Sequence, residues 1–74
     1  MYIYKSICET YYNSEIGSYT AYAVEAYKVS SATPVCRIPD AFANPEKAEE
    51  FIALCNQHQP EPVHLTEICI EFIG

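Results

Sequence analysis

Seventy-four residues, 50% hydrophobic and 14% aromatic, supply one domain with enough apolar surface to fold. Ten acidic residues against four basic ones give a net charge of −6. That balance excludes a generic nucleic-acid binder, which needs a basic stripe to replace phosphate counterions. So short a chain buries only roughly 60–65% of the surface its unfolded form exposes, so a partner chain can contribute to its stability.

The chain opens Met1-Tyr2-Ile3-Tyr4-Lys5-Ser6-Ile7-Cys8-Glu9, with no cationic stretch leading into an apolar run, and so does not read as a signal peptide. Residues 2–11 and 19–29 are rich in Tyr, Ile, Val and Thr, which suit a pleated, half-buried surface. Between them, Tyr12-Asn13-Ser14-Glu15-Ile16-Gly17-Ser18 is a cluster of turn formers suited to a hairpin loop longer than two residues. A second turn, Ser30 to Pro34, leads into Val35-Cys36-Arg37-Ile38, the third strand expected. All strands are thus placed within residues 1–38, in antiparallel meander order.

The back half is helical in pattern. Asn44-Pro45-Glu46 supplies a cap acceptor, a proline at the first helical position and an acid in the positive first turn. Ala48, Phe51, Ile52 and Cys55 follow the i, i+3, i+4, i+7 spacing of one helical face. Pro60 and Pro62 end that helix, which is expected near 45–58. Leu65, Ile68, Cys69, Phe72 and Ile73 repeat the spacing and predict a second helix near 64–73. The expected product is one small α+β domain, 1–74, with a three-stranded antiparallel sheet followed by two helices packed on one face.

The strand faces do not separate cleanly. Ile3, Ile7 and Tyr11 share a face with Lys5 and Glu9, while Tyr2, Tyr4 and Cys8 share the other with Ser6 and Thr10. In the second strand Tyr22, Val24 and Ala26 oppose Tyr19, Ala21, Ala23 and Tyr27. A sheet covered on one side should alternate apolar with polar. Either tyrosine tolerates a half-wet face here, or the second face or an edge meets another chain. On the second view the interface residues expected are Tyr2, Tyr4, Tyr19 and Tyr27, and an isologous homodimer is the default geometry.

Candidate chemistry is sparse. Cys55, His58, His64 and Cys69 are a conceivable zinc set, but their spacing offers no tight knuckle and both cysteines fall on apolar stripes. No metal and no cofactor are therefore expected. A thiol nucleophile needs an electropositive setting that a chain of net −6 does not supply. Cys8, Cys36, Cys55 and Cys69 are widely spaced and are expected as reduced thiols. Glu46, Glu49 and Glu50 read as a solvated helix face, and two glycines cannot build a phosphate loop. The longest stretch without Asp, Glu, Lys or Arg is Phe51 to Pro60, too short and too polar to span a membrane. The placement expected is cytoplasmic.

From Tyr22 onward the chain resembles a family of short bacterial proteins known as domain of unknown function 6514. The residues that carry the likeness are Tyr22-Ala23-Val24, Ile38 through Asn44-Pro45, Ala48-Glu49-Glu50-Phe51, Leu54-Cys55-Asn56, Pro62-Val63-His64-Leu65 and Ile70-Glu71-Phe72-Ile73. Ala23 stands where that pattern has glycine, and Pro60 with Pro62 stiffens the junction between the helices. The resemblance implies a small intracellular bacterial domain and no assigned reaction. The function expected is a non-enzymatic protein-interaction module that binds a protein partner or itself. The alternative is a small-ligand or metal-binding module at the helix junction, centred on Asn56, His58 and His64.

Overall fold

The computed structural model describes residues 1–73. Its strands are β1 (Tyr2–Asn13), β2 (Gly17–Lys28) and β3 (Cys36–Phe42), followed by helices α1 (Pro45–His58) and α2 (Leu65–Ile73). The sheet is an antiparallel meander in the order β1-β2-β3, with the helices against one face, as the patterning predicts.

β1 and β2 pair without interruption from Tyr2–Lys28 to Asn13–Gly17. The loop between them is longer than two residues, as expected, but takes up only the middle of the Tyr12–Ser18 cluster. Ser14, Glu15 and Ile16 make the turn, Asn13 Oδ1 accepts the Glu15 N–H at 2.8 Å, and Gly17 takes a φ of +83°. A glycine in the left-handed region after a three-residue loop keeps both strands in register.

β3 runs past the expected limit of residue 38 to Phe42. Its pairing shifts between Val24–Ile38 and Tyr22–Phe42, which sets Pro39 and Asp40 in a bulge, with Asp40 at φ +51°. The bulge lets the strand resume with Phe42 on the covered face beside Ile38. Proline within a strand is tolerated at an edge or a bulge, and β3 supplies both.

α1 begins as expected: Asn44 Oδ1 accepts the Glu46 N–H at 2.8 Å and the Lys47 N–H at 3.4 Å. It ends at Gln59, which adopts φ +51° and donates its N–H to the Cys55 carbonyl at 2.8 Å. A single 3-10 turn, Pro62–His64, then leads into α2. The core is one cluster: Tyr4, Val24, Ala26 and Phe42 of the sheet against Ala48, Phe51, Cys55, Leu65 and Cys69 of the helices. Phe42, Phe51 and Phe72 meet edge and face, with ring centroids 5.3–5.9 Å apart. Ile73, expected on the buried stripe, is instead exposed, as is Ile70.

Candidate functional site

Two features of the sheet stand apart from the core: the outer edge of β1 and the face of the sheet away from the helices. The edge begins under the end of α1. Asn56 Oδ1 accepts the Tyr4 N–H at 3.0 Å, while its Nδ2 donates to the Tyr4 carbonyl at 3.2 Å. One turn later, Gln59 Oε1 accepts the Tyr2 N–H at 2.8 Å and its Nε2 donates to the Tyr2 carbonyl at 3.0 Å. Each side-chain amide thus presents one acceptor and one donor to a strand residue, as a neighbouring strand would.

Those bonds also fix which way the strand's peptide groups point. Even-numbered residues of β1 turn N–H and C=O outward, and odd-numbered ones turn them toward β2. Ser6, Cys8, Thr10 and Tyr12 therefore present peptide groups to the outside, and among the described residues no side chain of the helical layer bonds the edge beyond Tyr4. This half of the hairpin projects past the helices: Cys8, Thr10, Tyr12 and Ile16 are exposed, with Tyr12 at 75%. The opposite edge, β3, carries Pro39 and the bulge, two devices that discourage strand addition. β1 has neither.

The open face is furnished differently from the mixed pattern its sequence suggests. Ala21 and Ala23 lie on it, yet are only 1% and 0% exposed, because larger neighbours fold over them. The Tyr11 and Tyr19 rings stack with centroids 5.8 Å apart. Tyr11 donates its hydroxyl to Glu9 at 2.7 Å and accepts the Asp40 N–H at 3.0 Å, and Tyr19 donates to Asp40 Oδ2 at 2.6 Å. Tyr27 donates to Glu25 at 2.6 Å, and Lys5 Nζ lies 5.1 Å from the Tyr27 ring centre. Arg37 bridges Glu9 and Glu25. Hydrogen bonds to Glu9, Asp40 and Glu25 raise the Tyr11, Tyr19 and Tyr27 phenols above their ordinary range. The face is largely satisfied by its own side chains.

Of the four tyrosines expected at an interface, the structure removes Tyr4. It is 2% exposed, its ring belongs to the core, and its hydroxyl donates to the Pro60 carbonyl. Tyr2 packs beside it and reaches toward Glu61, on the helix side of the sheet. Tyr19 and Tyr27 do share the open face, but at opposite ends of β2, each half-buried in the bonds above. Tyr12, expected in the turn cluster, is the most exposed tyrosine on the strands.

The residues expected at the helix junction do not assemble. Asn56 turns to the Tyr4 peptide, with one bond made by each of its polar atoms. His58 lines an apolar groove of about 350 Å³ with Phe51, Leu54, Cys55, Pro60, Ile68 and Phe72. His64 is exposed on the 3-10 turn, outside that groove. Among the described residues no three of His, Cys, Asp and Glu come together as metal ligands would. Burial, then the neighbouring Cys69, pushes the Cys55 thiol up to about 11, and burial raises Cys69. All four cysteines are free thiols. No described helix is long and apolar enough to cross a membrane.

No family model, curated protein or solved structure matches this chain. The resemblance noted from the sequence therefore rests on its residue pattern alone.

Proposed function

We propose that this chain is a non-enzymatic protein-interaction module that works through the projecting half of its β1–β2 hairpin. One observation carries the reading: from Ser6 to Tyr12 the edge of β1 is uncapped, while the same edge is closed at Tyr2 and Tyr4. An unprotected strand edge is a template for another strand, with main-chain bonds giving affinity and side chains giving selectivity. Exposed Tyr12 and Ile16 add apolar contact at the tip.

The test is affinity capture from the native host with the intact chain as bait, against a Tyr12→Ser/Ile16→Ser variant whose circular dichroism matches the native chain. Proteins held by the native chain and lost from the variant are expected. Equal retention, or none by either from a chain that sediments as a monomer, would refute the reading.

The groove between α1 and α2 supports a second reading, a small apolar ligand. Its volume of about 350 Å³ falls within the range of ligand pockets, and His58 is the one titratable ring on its lining. Saturable binding of a hydrophobic dye that Ile68→Lys abolishes would favour it.

A further inference from the structure

Resting on the interaction-module reading, we infer that the occupant of the free β1 edge is a second copy of this chain, paired antiparallel through β1 about a two-fold axis at Glu9. The argument is one of register. The uncapped stretch is bounded at one end by the Asn56 amide on Tyr4 and at the other by the turn that follows Asn13. Its outward residues, Ser6, Cys8, Thr10 and Tyr12, are placed symmetrically about Glu9. A two-fold at that residue sets Ser6 against the partner's Tyr12 and Cys8 against the partner's Thr10. Every free peptide group of the stretch then finds a partner, and no capped one is needed.

Neighbouring registers do worse. An axis at Ile7 or Cys8 drives the other copy's hairpin tip toward Asn56 and Gln59, which already fill the edge there. An axis at Thr10 or Tyr11 leaves Ser6 unpaired. On the open face the Glu9 register sets Ile7 beside the partner's Tyr11, a β-branched–aromatic pair of the favourable kind. Glu9 faces its own counterpart, but each Glu9 is bonded to Arg37 and to the Tyr11 hydroxyl of its own chain. The centre is thus two ion pairs side by side, not two bare carboxylates. The joined sheet covers Tyr12, otherwise 75% exposed.

Sedimentation equilibrium of the intact chain at tens of micromolar is expected to give the mass of two chains. Cys8→Pro removes an outward N–H and no bond of the β1–β2 ladder, so it is expected to fold and to sediment as one chain. Register is read separately, by oxidation of Glu9→Cys in a Cys8→Ser background. In the Glu9 register those thiols sit on directly opposed residues with Cα atoms about 4.5 Å apart, within disulfide reach. The native Cys8 pair is diagonal at about 7–8 Å. The variant should form covalent dimer at least about tenfold faster than the native chain under the same mild oxidant.

A single-chain mass for the native protein overturns the inference, as does a Cys8→Pro chain that folds and still sediments as two. Faster cross-linking through native Cys8 than through Glu9→Cys overturns the register. A monomer that still captures a different protein through Tyr12 and Ile16 defeats this inference alone. A monomer that captures nothing defeats the interaction-module reading as well.

Discussion

Asn56 occupies the place of a fourth strand at one point of the sheet. Its amide makes both bonds of a strand residue with Tyr4, at 3.0 and 3.2 Å, so an edge peptide is paired without any further chain. Removing the amide leaves a partly buried N–H and C=O to find water in a crowded place, a loss of about 1–3 kcal/mol. Asn56→Ala is therefore expected to lower the unfolding free energy from urea titrations by that amount. Asn56→Asp should not restore it, since a carboxylate can accept from the Tyr4 N–H but cannot donate to the Tyr4 carbonyl. An alanine variant as stable as the native chain would show that these bonds add nothing to the fold. The sequence pattern marks Asn56 as polar and near two histidines, which suggests a ligand site. Its partner lies 52 residues away on another element, and a distance of that kind leaves no trace in local spacing.

At the scale of elements, what is legible in the sequence is whatever local chemistry decides. The α1 start follows from Asn44-Pro45, and the buried stripe from Ala48, Phe51 and Cys55, because both depend on neighbours within a turn. The end of β3 is not legible in the same way. The apolar run ends at Ile38, and only the bulge at Asp40, tied to Tyr11 and Tyr19 across the sheet, carries the strand on to Phe42. Gln59 is a similar case. It ends α1 at φ +51°, where glycine is the easy residue, yet its side chain holds both polar groups of Tyr2. Gln59→Gly relieves the backbone by about 1 kcal/mol and gives up the two bonds, so it should be less destabilising than Gln59→Ala. Gln59→Ala keeps the strained backbone and also loses the bonds, at a cost of about 1–3 kcal/mol. Equilibrium unfolding of the two variants side by side tests the pair. Equal losses would mean that the left-handed turn carries no penalty here.

The whole molecule measures 39 × 28 × 19 Å, longer than it is thick, because the helices cover only part of the sheet and the hairpin runs on beyond them. Its stability against alkali follows from that division. On the covered side, burial is the main cause that pushes the Tyr4 phenol from 10.0 to about 12 and the Cys55 thiol from 9.0 to about 11. On the open side, hydrogen bonds to Glu9, Asp40 and Glu25 raise Tyr11, Tyr19 and Tyr27. A raised value means that the folded chain holds the proton more tightly than the unfolded one. The contribution of each group is thus complete below its unfolded value and is lost as pH rises through the folded one. Unfolding free energy from urea titrations should accordingly change little on account of these groups below pH 9, then fall between pH 9 and 12. Tyr4→Phe removes the phenol and leaves the Pro60 carbonyl without its donor, costing about 1–3 kcal/mol at neutral pH. The same variant should lose less stability than the native chain between pH 10 and 12, because its largest buried phenol no longer titrates. Parallel pH profiles for the two chains would place the alkaline transition elsewhere, on the open face and Cys55, and would detach it from the Tyr4 phenol.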